Sequence, residues 1–581
     1  STPGEGGSLL ERAGRYAPRL VAVAYLLLAL PLLRQHGVTY DAPALYYAGD
    51  RTLFFLTHPR VPEALNFAAR PEPAGFHSFF SRDDEWADPM RYPVLPALVA
   101  AVVSAVMHDA LGLLDPAAAH HLGLVLLQAL ALGLFAHYAI RFLGFQAGLF
   151  ASVALMLFPS AFGHAFNNPK DWPCAMFYGL AVIAAGEGLV SGRARDVLAA
   201  GLFAGISLAA KLNGVFVLVT LGLWLPIVWF ARIRRSGAAE RYRLTAALLA
   251  APYIAGAVFL VSWPWIWNAP PAGMVERLSR YLSFMAAYGV SPRDSWTWHP
   301  LKCLLYMTPP VVLLASLVAL IAWARRRDPG AGIRVALLVI WVAFPYLRSV
   351  APHSNFYDAN RHFIEYVPGL CALAGWGFAQ LLDMVQRLAR RWAGPVRTDS
   401  GQRALRVALT GAAALSLLVP LLRYAPFETA YFNVFTGGLG GAQARALFRM
   451  PPPTDPRSDG TEGDYWYQSM RVAFVELGRR VPGPTTVALC DAPPVLGQAN
   501  LTGQPFHLVR LNTPEGRAAP AVWVSPRERA CGWKLVRALE SERPVILRVE
   551  RGGGLVYELL GPRSDRPLEP VSPANAYTGG A

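Results

Sequence analysis

A chain of 581 residues with 54% hydrophobic and only 16% charged side chains departs from soluble proteins, in which about 25% are charged. Its apolar residues fall in blocks of roughly 16–22, the helix length that crosses a bilayer, without the polar stripe of a helix packed in a soluble core; this excludes a soluble globular protein. The formal net charge of +15 sits in short basic clusters between those blocks, which argues against nucleic acid as a partner and for cytoplasmic loops lying on anionic membrane lipids.

In chain order, Arg12, Arg15 and Arg19 place the N-terminus inside, so a first helix at about 17–34 carries the chain outward. A polar loop follows this block in place of a small-residue cleavage site, so it reads as a retained anchor. The first outer loop spans 35–119 and contains an apolar stretch at 92–113 that begins Arg91-Tyr92-Pro93. Counted as a crossing, that stretch would put Arg193 and Arg195 outside; read as an interfacial or re-entrant helix, it keeps the basic clusters inside. Further crossings are expected at about 120–140, 146–163, 172–190, 196–210, 212–231, 243–264, 302–324, 333–347, 363–383 and 403–423.

From about Tyr424 the composition changes. Pro451-Pro452-Pro453 and scattered glycines break the chain, 464–479 reads as a helix, and 485–489 and 545–549 read as strands. Gly552-Gly553-Gly554 separates two strand-like runs as a hairpin would. The expected fold is therefore an α-helical integral membrane protein of about 11 transmembrane helices over 1–423, with a small C-terminal α/β extracytoplasmic domain over 424–581. Of five cysteines, Cys174, Cys303 and Cys371 lie in or beside apolar blocks, and Cys490 and Cys531 could pair outside the cytoplasm.

Unusual polar residues gather at the expected outer ends of the helices. Asp41, in Tyr40-Asp41-Ala42-Pro43, could take a proton from an acceptor hydroxyl, or serve as a turn aspartate before Pro43. Asp171, in Asn167-Asn168-Pro169-Lys170-Asp171, could cap the next helix, and ionisable groups at membrane depth are also functional candidates. Arg361, in Tyr357-Asp358-Ala359-Asn360-Arg361-His362-Phe363, can grip a phosphate with two parallel hydrogen bonds or anchor at the interface. Lys211 is a lone charge between two apolar blocks, either a phosphate contact or a turn residue, and His299, beside Trp296 and Trp298, reads as part of an aromatic belt. Two carboxylates and several cations on one membrane face suit a group transfer from a lipid-linked phosphate, with one carboxylate as base and the cations on the departing phosphate.

Four stretches in matching order carry a resemblance to bacterial polytopic glycosyltransferases of the C-type fold, the broad family of protein O-mannosyltransferases and lipid A aminoarabinose transferases. They are Gly37–Pro43, Phe162–Asp171, Tyr357–Phe363, and Ala430–Asn433 through Gly437-Gly438 to Asp464-Tyr465-Trp466. The resemblance implies a polyprenyl-phosphate sugar donor, an extracytoplasmic acceptor, and a periplasmic active site in a multi-pass bacterial inner-membrane protein. It implies Asp41 and Asp171 as catalytic carboxylates. Lys170, Lys211 and Arg361 are then candidate phosphate or acceptor contacts, and His362, Asn168 and Tyr357 from the same motifs complete the substrate-binding set. No metal or other cofactor is required by these residues, although some relatives use a divalent ion that an acidic pair could hold. Relatives often carry Glu directly after the first Asp, where this chain has Ala42; Asp50 and Arg51 follow and could compensate. The alternatives are an inactive homologue acting as a scaffold, or a transporter or flippase of lipid-linked sugars.

Overall fold

The computed structural model describes residues 9–66, 72–80, 92–325, 329–392, 398–445, 447–448, 462–481, 483–490, 492–525 and 533–562. Among them, seven helices are long and apolar enough to cross a membrane: Gly14–Leu32, Pro116–Leu143, Asp171–Ser191, Leu212–Arg235, Ala238–Val261, Gly330–Val350 and Asp399–Tyr424. Two bent pairs raise the number to as many as nine: Phe145–Met156 with Pro159–Asn167, at 59°, and His299–Met307 with Pro310–Arg325, at 110°. Both second helices start at a proline, which has no amide hydrogen to continue the preceding ladder.

Two of the about eleven expected crossings fall outside this count. The block at 196–210 forms a helix, Ala194–Leu208, of only 15 residues. That is about 22 Å long, short of the roughly 30 Å hydrocarbon core. The block at 363–383 forms Tyr366–Trp392, which is long but too poor in large apolar residues to qualify. Its first half is buried by protein, not lipid. A Cβ on Gly375 would meet the backbone oxygen of Ala147 at 2.2 Å, and one on Gly377 that of Ala315 at 1.9 Å. The helix is thus wedged between Phe145–Met156 and Pro310–Arg325, a close approach that only small residues permit.

The apolar stretch of the first loop forms a shorter helix, Leu95–Ala110, whose last six residues loosen into a π turn. It packs between Ala42–Thr57 and Pro116–Leu143. A Cβ on Gly49 would strike Ala97 O at 2.4 Å, and one on Gly123 would strike Ala100 Cα at 2.6 Å, so these contacts too depend on glycine.

Beyond Tyr424 the chain builds one mixed sheet from β1 (Thr485–Leu489), β2 (Phe506–Arg510), β3 (Ala521–Val524), β4 (Val545–Arg551) and β5 (Gly554–Leu560), in the order β2-β1-β3-β5-β4. β1 runs parallel to β2 and β3, while β5 runs antiparallel to β3 and β4. Gly552 and Gly553 turn the β4–β5 hairpin with φ of +52° and +74°, the left-handed values such a turn requires. The expected helix at 464–479 starts later, at Met470. Asp464 draws residues 464–469 into a turn instead, its carboxylate accepting from the amides of Gln468 (3.0 Å) and Ser469 (2.8 Å). Cys490 is disulfide-bonded, while Cys174, Cys303 and Cys371 are free and buried. Cys531, the expected partner, lies outside the described residues.

This region is bonded to the first loop. Arg471 grips Asp115 with two hydrogen bonds, of 3.0 and 2.7 Å, and donates to Arg34 O at 2.7 Å. Asn500 pairs with the backbone of Val38 in both directions, at 2.8 and 3.0 Å. A buried hydrogen bond, His36 Nε2–Glu428 Oε2 at 2.9 Å, lies nearby, with the imidazole stacked on Phe166 at 3.7 Å.

Candidate active site

Asp41 directly precedes the helix Ala42–Thr57, whose start Pro43 favours by its fixed φ. Its side chain makes no capping bond. Instead Oδ2 accepts from Lys170 Nζ at 3.1 Å and Arg361 Nη1 at 2.8 Å. Asp171 is the first residue of Asp171–Ser191. The cap there comes from Asn168, whose Oδ1 accepts from the amides of Lys170 (3.2 Å) and Asp171 (2.8 Å). The Asp171 carboxylate is thereby free to face the site, where Oδ1 accepts from Lys211 Nζ at 2.6 Å and Oδ2 from Arg361 Nη1 and Asn168 Nδ2, both at 3.3 Å.

Arg361 joins the two carboxylates. Its Nη1 bonds both, while Nε and Nη2 bond Asp358 Oδ2 at 3.1 and 2.9 Å. Its guanidinium carbon lies 4.7 Å from the ring centre of Tyr357 and 4.8 Å from that of Trp466. The loop that presents it is strained: Asp358 and Ala359 hold φ of +54° and +60°, left-handed values that cost non-glycine residues on the order of 1 kcal/mol each. His299 braces this loop from behind, with Nε2 3.3 Å from Ala359 O. It is buried, so the expected place in an aromatic belt is corrected.

Three carboxylates (Asp41, Asp171, Asp358) therefore meet three cations (Lys170, Lys211, Arg361), and their formal charges cancel. All six are buried; Asp41, Asp171 and Arg361 are only 4%, 2% and 3% exposed. Burial alone would raise the Asp41 pKa, but the charges of Lys170 and Arg361 outweigh it and hold the carboxyl below its ordinary value. Burial likewise works against the Lys170 ammonium, and Asp41 and Asp171 more than compensate, holding its pKa above the usual lysine value. Lys170 also lies 4.6 Å over the ring of Tyr92.

The remaining expected residues fall at the edge of this cluster. Tyr357 stacks on Arg361 and is hydrogen-bonded to Tyr288 through the two hydroxyls. The His362 ring lies 4.3 Å from that of Tyr357, and its Nε2 is buried without a hydrogen-bond partner. Burial, then the Arg361 and Lys211 charges, push its pKa well below the ordinary value, so the imidazole is neutral. Asp50 and Arg51 do not take the place of the glutamate that Ala42 lacks. Asp50 bonds Ser78 (2.5 Å) and His120 (3.0 Å), and Arg51 bonds the backbone oxygens of Glu63, Ala64 and Asn66, so both serve the first loop itself. Nor do Asp41 and Asp171 fit a divalent metal, because Arg361 Nη1 lies between their oxygens. Among the described residues there is no group of three or more His, Cys, Asp or Glu that could hold a metal.

Asp358, Tyr92, Tyr288, His164 and Trp466 also belong to this site, and reading the sequence assigned them no role there. Asp358, His164 and Trp466 lie inside motif stretches, and of these Asp358 alone stands close to a candidate cation, three residues before Arg361. Tyr288 carries no comparable signal.

No family model matches the chain, and no curated protein matches it. Among solved structures it is similar to ArnT from Cupriavidus metallidurans in the apo state, at 14% identity and a TM-score of 0.46 over 94% of this chain and 98% of that one. It is similar to the same protein bound to undecaprenyl phosphate, at 15% identity and a TM-score of 0.47 over 93% and 97%. It is also similar to the oligosaccharyltransferase AglB from Archaeoglobus fulgidus in complex with an inhibitory peptide and a dolichol-phosphate, at 10% identity and a TM-score of 0.43 over 95% and 74%.

Proposed function

We propose that this chain is a membrane glycosyltransferase that moves one sugar from a polyprenyl-phosphate carrier to an extracytoplasmic acceptor by an inverting single displacement. The observation that carries this reading is the buried, self-neutralised cluster in which Arg361 and Lys170 share Asp41. Cations held by carboxylates of the same protein can exchange them for the oxygens of a phosphate, for which arginine's planar fork is well shaped.

That exchange sets the order of events. The donor phosphate draws Lys170 and Arg361 away from Asp41, while Asp358 keeps its hold on the far edge of the guanidinium. Relieved of two positive neighbours, the Asp41 carboxylate becomes a stronger base. It takes the proton of an acceptor hydroxyl, whose oxygen bonds to the anomeric carbon opposite the phosphate. The bond from that carbon to the phosphate oxygen breaks, its electron pair leaves with the phosphate, and Arg361 and Lys170 stabilise the charge that develops. Asp171, tied to Lys211 and Asn168, orients Arg361 from the other side.

The test offers purified protein in nanodiscs a panel of radiolabelled polyprenyl-phosphate sugars, with a membrane extract as acceptor. Transfer by the wild type and its loss in Asp41→Asn is the expected result. Equal transfer by both would remove Asp41 as the base, and donor binding without transfer from any sugar would favour a scaffold.

A further inference from the structure

We propose that the turn Asp464–Ser469 is a working part of this site and that Trp466 is a positioning residue for Arg361; the inference rests on the transferase reading above.

The turn touches three of the four segments that carry the site. The ring centre of Trp466 lies 4.8 Å from the Arg361 guanidinium carbon, and that of Tyr357 lies 4.7 Å from it. Tyr465 meets His164 Nε2 through its hydroxyl at 3.2 Å; His164 Nδ1 lies 3.3 Å from Asn168 Nδ2, which donates to Asp171. Gln468 accepts from Gly37 N at 3.1 Å through its carbonyl and from Asn167 Nδ2 at 3.3 Å through its side chain. It thereby joins the approach to Asp41 with the approach to Asp171. The space there is tight, since a Cβ on Gly37 would lie 2.3 Å from Gln468 O.

The sheet in turn fixes the turn. Ser525, just after β3, donates to Asp464 O at 3.3 Å, and the ring of Trp523 on β3 meets that of Tyr467 edge-on at 5.6 Å. Tyr467 itself holds φ of +64°. The position of the sheet is thus passed through one strained turn to the cation that bridges the two catalytic carboxylates.

Arg361 shows why this matters. Its nitrogens are held by Asp41, Asp171 and Asp358, and the rings of Tyr357 and Trp466 pack against it. A planar cation fixed in this way can exchange a carboxylate for a phosphate without first losing rotamer freedom. Trp466 is 1% exposed, and its removal would open one face and let the plane tilt.

Undecaprenyl phosphate titrated into the full chain in nanodiscs tests the assignment. Trp466→Ala should weaken binding about tenfold, and Trp466→Phe, which restores a ring face, should recover most of the loss. Trp466→Leu, apolar but without a ring, should repeat the loss and stands in if the alanine variant does not fold. Combined with Arg361→Lys, Trp466→Ala should add nothing, because a residue that acts through Arg361 has no further effect once the planar fork is gone. Unchanged binding in folded Trp466→Ala and Trp466→Leu, or additive losses in the double variant, would overturn the inference. A wild type that does not bind undecaprenyl phosphate would sink the transferase reading beneath it.

Discussion

The helix Asp171–Ser191 carries a charged network near each end, and the two are built differently. At its start, Asp171 joins a cluster whose cations are shared: Arg361 serves three carboxylates, and all members are buried. Toward its other end, Glu187 pairs with Arg141 and Arg193, both at 3.2 Å, and Arg141 also pairs with Asp196 at 2.5 Å. There the Arg193 side chain is 47% exposed. A half-exposed pair is screened by solvent and contributes little. A sealed pair costs much to desolvate and is severely upset if one partner is lost. Under the transferase reading the first network is the working one; in the second, Glu187 and Asp196 are buried as well, but the outer cation Arg193 is open to solvent.

The largest test of this contrast is Asp41→Asn, which should lower transfer by about a thousandfold, measured as label moved to acceptor, if Asp41 is a general base. A loss below about tenfold would place it among the binding residues. Next is Arg361→Lys, which keeps the charge but not the planar fork; transfer should fall on the order of a hundredfold with a weaker grip on undecaprenyl phosphate. An effect confined to binding would mean the guanidinium holds ground and transition states alike.

The pH dependence of stability sharpens the comparison. The folded pKa of Asp41 is depressed, so its ionisation contributes stability that is fully present above the unfolded carboxylate value of about 4. That contribution is lost as pH falls through the lower, folded value. Thermal unfolding of the wild type should therefore show a loss below about pH 4 that is smaller in Asp41→Asn; the same acid slope in both would remove Asp41 from the account. The smallest effect is expected at the other end of the helix. Arg193→Ala should cost no more than about 1 kcal/mol and leave transfer unchanged, as read by thermal unfolding and label transfer.

Asp41, Lys170, Asp171, Lys211 and Arg361 could be picked out from sequence because an ionisable residue between apolar blocks must be explained by something. The structure brings these five together. Trp466 could not be picked out that way, since an aromatic residue among others is as well explained by packing. Its place over Arg361 depends on a turn that Asp464 folds where helical periodicity reads a helix. Two expected spans fall outside the count for a related reason. Hydropathy reports what faces lipid, but Tyr366–Trp392 faces mostly other helices, and Ala194–Leu208 is apolar without being long enough. Alanine at position 42 is buried against the core, and neither Asp50 nor Arg51 replaces the carboxylate it lacks.

The glycines of Tyr366–Trp392 bear on how the site can move. With Gly375 against one neighbouring helix and Gly377 against another, the shaft that follows Arg361 has no slack in either direction. Sliding or tilting it would drive backbone into backbone on one side or the other. Adjustment to an arriving donor is therefore left to side chains swinging on a fixed frame, with Lys170 and Lys211 on flexible stems among them.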